Sequence, residues 1–325
     1  MADYGLAPAV DLVVVGDCNP DVLVLGDDVT PAFGQQEKLV SSMSLVIGGS
    51  AAITAVAAAR LGLRVALVAA VGDDAAGRFM LGQLAGEGVD VTAVAVRADA
   101  PTGMTVALSR GDDRAILTAT GAVATLTAAD VPTALLTRAR HLHVSAYFLV
   151  ERSLSPGLAA LFGTARAAGS TTSLDTNWDP AENWGDDRLR AVLAQTDLLV
   201  PNEAEALGIS GKGTLAEAVA ALGSAGTRLV VKLGSRGALC VLGGRLHRVG
   251  VPPVRPVDTT GAGDCFNAGL IAGLLRGLAL PEAAALGCAV GAASTQAAGG
   301  TGSSPDLVSA MSLARTATIR PADSG

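Results

Sequence analysis

A glycine-rich turn that leads into an apolar stretch carries the clearest chemistry in this sequence. It reads Asp258-Thr-Thr-Gly-Ala-Gly-Asp264 and continues into the small-residue segment 265–280. Glycine lets the backbone turn its amide groups toward one point, and a helix that starts there adds the positive end of its dipole. Asp264, at the helix start, could accept a proton from an alcohol that approaches a bound phosphoryl group. We therefore predict a phosphoryl-transfer centre whose anion cradle is formed by Gly261, Ala262 and Gly263.

An ordinary loop-to-helix junction is the simpler interpretation of a short GAGD string. The longer string DTTGAGDCFNAG, residues 258–269, closely resembles the C-terminal signature of the PfkB, or ribokinase-like, family of carbohydrate and nucleoside kinases. This resemblance implies an α/β fold, a ribokinase-like three-layer α/β/α sandwich with a small β-sheet lid. It also implies ATP and Mg²⁺ as cofactors and transfer of the γ-phosphoryl group to a substrate hydroxyl, with Asp264 as the base.

Composition restricts the kind of partner. The chain has 325 residues, half of them apolar, and a net charge of −7 without a basic cluster. This balance argues against nucleic acid or an anionic membrane and leaves a small molecule, a sugar or a nucleoside, as the expected ligand.

Cysteine spacing and hydropathy favour a cytoplasmic location. The cysteines at 18, 240, 265 and 288 lie far apart and form neither a CxxC pair nor a metal-ligand group with the three histidines. No signal peptide opens the chain, and arginines interrupt the apolar runs 51–71 and 265–280 before they reach membrane-spanning length. We expect buried thiols and no membrane association.

Polar residues follow the first predicted strand, residues 11–16. Asn19 and Asp21 would lie at the carboxyl end of a parallel strand, where open α/β sheets bind ligands, although an Asn-Pro-Asp turn explains them equally well. The family has a GxxNxD element here that contacts sugar hydroxyls, and Gly16, Asn19 and Asp21 match it. The resemblance therefore assigns Asn19 and Asp21 to the substrate.

A second element begins at Ile47-Gly-Gly-Ser and continues as an alanine-rich helix to about residue 62. Paired glycines allow a close backbone approach, and the helix start offers free amides to a ligand. It resembles the family signature GGxxxNxA, in which Gly48, Gly49 and Ser50 face the substrate. Ile53 stands where the family has asparagine, which implies a ligand other than simple ribose.

The domain boundaries follow from these patterns. We expect a disordered tail at 1–9, one kinase domain at 10–310 with a lid formed by segments within 17–47 and 97–120, and a C-terminal tail at 311–325. Segments 105–108 and 114–118 are predicted to form a hairpin. Phe33 would either cover a ligand or pack the lid on the body. Asp73 or Asp74 should cap the helix that follows.

The second half alternates strands and helices, as in a series of βαβ units. Strands are predicted at 141–145, 171–175, 197–200 and 227–233, and a helix at 158–168. Tyr147 could line the ligand crevice or belong to the core. Residues 175–179 resemble the family's DxNxR element, with Asp179 in place of arginine.

Acidic and basic residues after later strands are candidates for cofactor contacts. Asn202 and Glu205 are three apart at a helix start and match the NxxE motif, in which Glu205 would hold Mg²⁺ through waters. The alternative is a solvated, acid-rich helix start. Gly234 and Gly237 would let ATP lie on the backbone. Lys232 could neutralise phosphate charge, but the interpretation we favour slightly is that it reaches solvent.

Three further expectations concern ions, ionisation and assembly. Asp258 and Thr260 resemble the potassium loop of ribokinase, so K⁺ is a further candidate cofactor. The helix start should lower the pKa of Asp264. A neutral sugar or polyol is the expected substrate, with an adenosine-like nucleoside or a catalytically silent sugar-binding role as alternatives and a phosphosugar as the least favoured. A homodimer through the lid is plausible by resemblance.

Overall fold

The computed structural model describes residues 10–110, 113–223, 227–242 and 244–322. The predicted tail at 1–9 lies outside the described residues. The strands are β1 (Val10–Val15), β2 (Asn19–Leu25), β3 (Ser42–Gly48), β4 (Val65–Val68), β5 (Ala70–Gly72), β6 (Ala95–Arg97), β7 (Met104–Arg110), β8 (Asp113–Ala119), β9 (Ala139–Val144), β10 (Thr171–Leu174), β11 (Leu198–Leu199), β12 (Arg228–Lys232), β13 (Ala238–Leu242), β14 (Arg245–Val249) and β15 (Ile319–Ala322). The helices are α1 (Ser50–Arg60), α2 (Ala75–Gly86), α3 (Thr133–Leu136), α4 (Tyr147–Ala167), α5 (Asp187–Leu193), α6 (Glu203–Ser210), α7 (Leu215–Gly223), α8 (Ala262–Leu275), α9 (Leu280–Ser294) and α10 (Leu307–Ala314).

One large sheet forms the middle layer. In the described part of the chain its order is β15-β14-β13-β12-β11-β10-β9-β1-β4. The strands from β4 to β12 along this order are parallel, and β13 to β15 are added antiparallel. The central strands are short apolar runs because both of their faces are covered.

Helices cover both faces of this sheet. On one face, α1, α8 and α9 pack against alternate residues such as Leu12 and Val14. On the other, α4 to α7 pack against Val13 and Val15. The predicted three-layer α/β/α architecture is confirmed. It places the carboxyl ends of β1, β9, β10, β11 and β12 along one edge, where ligands bind in such sheets.

A second, four-stranded sheet has the order β3-β2-β7-β8. Its strands come from the two segments predicted for the lid, and β7 and β8 form the predicted hairpin. It joins the main domain through Asn19 at the start of β2 and Gly48 at the end of β3, both of which are buried.

Several boundaries differ from the sequence prediction. Helix α4 begins at Tyr147 rather than near 158, because Ala146 adopts a left-handed conformation with φ 56° and the chain turns directly from strand into helix. The tail predicted for 311–325 is wrong for residues 311–322, which contribute to α10 and to β15, paired with β14. Asp74 caps α2 by accepting a hydrogen bond from Gly77 N at 2.8 Å, as one of the two predicted alternatives.

Small residues let α8 approach its neighbour closely. A Cβ at Gly269 would lie 2.8 Å from the Leu286 carbonyl oxygen, and one at Gly273 would lie 2.9 Å from Ala283 Cα. Both glycines therefore face α9 rather than the sheet. Among the described residues, no helix has the length and apolar character needed to cross a membrane.

Candidate active site

The loop before α8 forms the predicted turn. Gly261 has φ 71°, and α8 begins at the next residue. A Cβ at position 261 would lie 2.6 Å from Gly300 Cα, so any larger residue would displace that backbone. Within the described residues, the N–H groups of Gly261 and Gly263 have no hydrogen-bond acceptor. The N–H of Ala262 instead donates to the Thr259 carbonyl at 3.2 Å, so the prediction that it faces an anion is wrong: the tight turn uses it.

A cavity of about 720 Å³ opens beside this turn. Apolar walls come from the proline-rich residues 251–256 and from Phe266 and Ala292. Sequence reasoning missed these residues, although the V-P-P-V-R-P run was an available signal of an irregular loop. The cavity brings together the residues predicted for catalysis, nucleotide and magnesium: Gly261, Ala262, Gly263, Asp264, Asn202, Glu205, Lys232, Gly234 and Gly237.

Asp264 lines the cavity and is 8 % exposed. Burial and then the Asp175 carboxylate raise the pKa of Asp264 well above its usual value, while Lys232 and the Ser50 hydroxyl lower it in part. The predicted lowering of this pKa is therefore wrong. The helix start does favour the anion, but loss of water and a neighbouring carboxylate outweigh it. Asp264 thus has the raised basicity that suits a group accepting a proton.

Lys232, the last residue of β12, is buried rather than directed to solvent. Its ammonium group pairs with Asp175 Oδ2, which also accepts a hydrogen bond from Asn267 Nδ2. Burial alone would lower the pKa of Lys232, but Asp175 and Glu205 raise it above its usual value. The solvent interpretation is wrong because Asp175, 57 residues earlier in the chain, follows β10, which is separated from β12 only by β11 in the parallel sheet.

Gly234 and Gly237 line the cavity at the turn between β12 and β13. Gly234 has φ 58° with open space where a Cβ would be, so its backbone is accessible to a ligand. Gly237 has φ 89°, and a Cβ there would clash with the Val249 carbonyl. A glycine is therefore required at position 237 by the packing against β14 as well.

Asn202 and Glu205 hold the start of α6 together. Asn202 Oδ1 accepts from Glu205 N at 2.9 Å, and Glu205 Oε2 accepts from Asn202 N at 2.8 Å, which forms a capping box. Burial and the Asp175 carboxylate raise the pKa of Glu205 to about 7. Both side chains line the cavity, and their oxygens are of the type that Mg²⁺ prefers. The interpretation of a solvated helix start is wrong for Glu205, which is buried, and its magnesium role stays a prediction.

The predicted substrate residues of β2 and β3 lie together. Asn19 Nδ2 donates to Asp21 Oδ1 at 3.2 Å and to Thr105 Oγ1 at 3.2 Å. Gly48 pairs with Asn19, and a Cβ there would clash with the Asp21 carboxylate. Gly49 has φ 83° and lies against the backbone of Asp17. Asn19 and Asp21 do not line the 720 Å³ cavity.

Ser50 lies beside the cavity residues and follows Gly49, whose Cβ position would be 3.2 Å from Asn19 Oδ1. Its hydroxyl accepts from Asn177 Nδ2 at 2.7 Å, and it lies close enough to Asp264 to lower the pKa of that carboxyl. Asp17 fixes this position because its carboxylate accepts from the N–H groups of Ser50 and Ala51 at 3.0 and 2.9 Å. Asp17 and Asn177 have no role in the sequence prediction, although both follow strands of the parallel sheet.

Two aromatic candidates lie elsewhere. Tyr147 is fully buried in the core, with its ring against Phe148, so the prediction that it lines the crevice is wrong. It points into the α4 layer because α4 begins at this residue. Phe33 is 94 % exposed and neither covers a cavity nor packs the lid on the body.

The two departures from the family motifs have structural explanations. Asp179 is buried, and its carboxylate accepts N–H bonds from Ala181, Asn183 and Trp184 at 2.8 to 2.9 Å, so it braces its own loop. Ile53 is 3 % exposed and its Cγ2 would lie 3.1 Å from a Cβ at Gly261. Ile53 therefore supports the cradle from below.

Asp258 braces the loop before the cradle. Its Oδ1 accepts from Thr260 N at 2.9 Å and Thr260 Oγ1 at 2.7 Å, and its Oδ2 accepts from Gly299 N at 2.8 Å. No group of three histidine, cysteine, aspartate or glutamate side chains suited to a metal occurs in the described ranges. The potassium role of Asp258 and Thr260 stays a prediction.

The chain is similar to known proteins in both sequence and structure. The model of the pfkB family carbohydrate kinases matches residues 10–307. A 2-dehydro-3-deoxygluconokinase of Bacillus subtilis (strain 168) is 33 % identical over 87 % of this chain and 92 % of its own length. A fructokinase of Klebsiella pneumoniae is 35 % identical over 79 % of this chain and 85 % of its own. The structure of Arabidopsis thaliana ribokinase complexed with ribose and ATP superposes with a TM-score of 0.79 and 25 % identity, covering 95 % and 99 % of the two chains.

Proposed function

The chain belongs to the PfkB family of carbohydrate kinases, and we propose that it transfers the γ-phosphoryl group of ATP to a hydroxyl of a small neutral sugar or polyol. One observation carries the proposal. Asp264 lines a cavity beside the amides of Gly261 and Gly263, which have no acceptor among the described residues, and it lies next to Ser50, which follows Gly49, whose Cβ position would be 3.2 Å from Asn19 Oδ1. An acceptor alcohol on one side and a phosphoryl group on the other would therefore meet at the Asp264 carboxylate.

The chemistry assigned to these residues is a direct displacement at phosphorus. The alcohol oxygen of the sugar forms a bond to the γ-phosphorus, the bond from that phosphorus to the bridging oxygen breaks, and ADP leaves. Asp264 orients the hydroxyl and takes its proton, and the amides of Gly261 and Gly263 stabilise the charge on the transferring group. The walls at Gly234, Gly237 and residues 251–256 would hold the nucleotide.

Asn202 and Glu205 are the residues that would hold Mg²⁺, through waters. Their fit rests on two features: both line the cavity, and the buried Glu205 carboxylate lacks a cationic partner at hydrogen-bond distance among the described residues. Bound Mg²⁺ would neutralise charge on the phosphate oxygens.

Potassium is proposed as an activator that binds near Asp258 and Thr260. Both oxygens of Asp258 already order this loop and connect it to Gly299, so an ion here would act on the cradle through the loop. The test is turnover in potassium chloride against a bulky organic cation at equal ionic strength. Equal rates in the two buffers would exclude potassium activation.

The polar groups around the substrate position favour a neutral ligand. Asn19, Asp21, Thr105, Ser50 and Asn177 offer hydroxyl, amide and carboxylate groups that match sugar hydroxyls. A phosphosugar stays disfavoured because position 179 holds an aspartate that braces a loop.

The nucleoside alternative loses its main support. It depended on an apolar Ile53 facing the ligand, whereas this side chain packs under the cradle. Phe33 and Tyr147 also offer no stacking surface beside the cavity. A neutral sugar is therefore the substrate class we propose, and nucleosides serve as the comparison arm of the test.

The test is a coupled ADP-release screen with neutral sugars, polyols, sugar acids, phosphosugars and nucleosides, run with the wild type and with Asp264→Asn. We expect turnover with a neutral sugar or polyol that the variant loses. Higher kcat/KM for a sugar acid, a phosphosugar or a nucleoside would contradict the proposed substrate class. ADP release that is the same with and without every acceptor would favour a catalytically silent role.

The outer face of the second sheet supports dimerisation through the lid. Leu45, Val22, Val106 and Leu117 form one cross-strand row on the face opposite Asp21, and Leu45 and Leu117 are 45 % and 63 % exposed. An exposed apolar row on a sheet marks an interaction site, and we assign it to a second copy of the chain.

Light scattering after size exclusion tests this assignment. The wild type should be a dimer, and Leu45→Lys with Leu117→Lys should be a monomer. The control is Ile319→Lys, which should stay dimeric. Ile319 is 41 % exposed and lies on the edge strand β15 of the main sheet. A wild-type monomer, or a dimer that survives both lid substitutions, would contradict the assignment.

A further inference from the structure

A buried ion pair lies directly under the anion cradle. Lys232 ends β12, and Asp175 follows β10, so both side chains reach the edge of the sheet where the cavity opens. The side chains of Lys232 and Asp175 are only 13 % and 2 % exposed. Asn267, on the buried face of α8, donates to the same carboxylate oxygen that binds the ammonium group. The pair is thus fixed from both sides of the cavity floor.

The ammonium group of this pair lies next to the reacting positions. Lys232 Nζ would be 3.6 Å from a Cβ built on Gly263, whose free N–H belongs to the cradle. Lys232 is the cationic side chain of the cavity lining in the part of the chain that the structure describes, whereas Asp175, Glu205 and Asp264 are acids. One cation therefore serves three buried carboxylates.

Resting on the phosphoryl transfer proposed above, we propose that Asp175 is a positioning residue: it holds Lys232 where the ammonium group keeps the Asp264 carboxylate ionised before the sugar binds. A protonated Asp264 could not accept the hydroxyl proton. Burial and the carboxylates of Asp175 and Asp17 all favour the protonated form, and the Lys232 ammonium and the Ser50 hydroxyl oppose them.

The Asp175 carboxylate also keeps Lys232 from neutralising the base completely. Without Asp175 the ammonium would have Asp264 and Glu205 as its remaining acidic partners. A direct pair with Asp264 would stabilise the anion and weaken it as a base. Asp175 therefore sets a balance, in which Asp264 is ionised but still basic.

Two substitutions with opposite expected signs test the proposal. The measurement is kcat/KM for the sugar between pH 5 and pH 9 at saturating ATP and Mg²⁺. At low pH, kcat/KM should fall as Asp264 becomes protonated, and we call this part of the profile the acid limb. Lys232→Met should move the acid limb to higher pH by about one pH unit or more, because an adjacent opposite charge shifts a carboxyl pKa by about 1 to 3 units. Asp175→Asn should move the same limb downward and lower kcat. An acid limb that stays at the same pH in both variants would overturn the proposal and leave the Lys232–Asp175 pair with a structural role only.

The double variant Lys232→Met with Asp175→Asn keeps the test valid if either single variant folds poorly. It replaces the pair by neutral groups of similar size, so neither member of the pair is left buried without its partner. Its acid limb should lie between those of the single variants. Glu205→Gln is measured in parallel, and loss of the acid limb in that variant would assign the limb to Glu205 and overturn the proposal.

A second readout needs no substrate and separates this proposal from the kinase assignment. The difference in melting temperature between the wild type and Asp264→Asn is recorded against pH, because it changes where Asp264 titrates in the folded protein. The same difference is recorded in the Lys232→Met background. The midpoint should rise by about one pH unit or more without Lys232. A shifted midpoint with no sugar turnover would refute only the proposed function, and an unshifted midpoint with turnover would refute only this proposal.

Discussion

Two buried histidines predict that the protein loses stability as the pH falls from 7 to 5. His141 and His143 lie on β9 and are 3 % and 0 % exposed. Ser173 Oγ lies 2.7 Å from His141 Nε2 and 2.7 Å from His143 Nδ1, and Ser145 Oγ lies 2.9 Å from His143 Nε2. These hydroxyl partners satisfy neutral imidazole rings, and no carboxylate among the described residues pairs with either ring.

Burial lowers the pKa of both histidines to about 3, and smaller contributions come from the charges of His143 and Arg228 at His141 and of Lys232 at His143. The unfolded chain, with a histidine pKa of about 6.5, binds protons in this interval while the native state does not. The contribution of the two neutral histidines to stability is therefore fully present above about pH 6.5 and is lost as the pH falls toward 3. From pH 7 to pH 5 the loss is about 2 kcal/mol for each histidine at about 1.4 kcal/mol per pKa unit. About 4 kcal/mol for the pair is a large share of a typical domain's roughly 5 to 15 kcal/mol.

Acid groups of the site act in the opposite direction, so the histidine contribution must be isolated by a variant. The raised pKa values of Glu205 and Asp264 mean that the native state binds protons there before the unfolded chain does, which adds stability as the pH falls. Comparing the wild type with His143→Gln removes these shared contributions. The difference in unfolding free energy between the two should shrink by about 2 kcal/mol from pH 7 to pH 5.

Guanidinium unfolding at pH 7, 6 and 5, followed by tryptophan fluorescence, measures this difference. Ser170→Ala is the matched control: its hydroxyl is buried and donates to the Ala139 carbonyl at 2.6 Å, but it does not titrate. Its cost should be the same at every pH. A cost of His143→Gln that is independent of pH would show that His143 takes up protons in the native state, and the reasoning from burial would fail.

Three further substitutions follow from the site and its support. Asp264→Asn should lower kcat by about 100-fold or more while the protein still folds and unfolds cooperatively, and near wild-type turnover would remove Asp264 from the mechanism. Gly261→Ala should cost about 1 to 2 kcal/mol of backbone strain and also abolish most turnover, because the cradle must move. Gly277→Ala, at φ 82° with nothing within 4 Å of a Cβ, is its control and should lower stability in urea unfolding without lowering turnover. Asp74→Ala should lower the unfolding free energy by about 1 to 2 kcal/mol through loss of the α2 cap, whereas Asp73→Ala, a surface pair with Arg78, should change it by about 0.5 kcal/mol or less. Equal effects of the two aspartates would contradict the capping assignment.

Local sequence signals were sufficient for features whose cause is local. The turn at Gly261, the helix start at Asn202 and the buried strands each depend on residues within a few positions, so their patterns predict them. The partner of Lys232 could not be predicted in this way, because it depends on which strands become neighbours in the sheet. The same holds for β15, a short exposed strand that is fixed only by pairing with β14.

The direction in which a side chain points and the sign of a pKa shift were harder to predict than the position of the residue in the fold. The sequence places Tyr147 correctly at the end of a strand, yet the left-handed Ala146 turns it into the core. It also places Asp264 correctly at a helix start, but the sign of its pKa shift depends on burial and on Asp175, 89 positions earlier in the numbering. Electrostatic predictions from a motif alone therefore fail when the motif is buried beside distant charges.

The two motif departures narrow where substrate selection resides. Ile53 and Asp179 replace polar and cationic residues of the family pattern, and both are committed to packing or loop support rather than to a ligand. Restoring arginine at 179 would remove three backbone hydrogen bonds before it could contact a substrate. Under the proposed function, discrimination between sugars would then come from the neutral and acidic groups of Asn19, Asp21 and Asn177. Since such groups bind hydroxyls and offer no counter-charge to an anion, they favour an uncharged acceptor over a sugar acid.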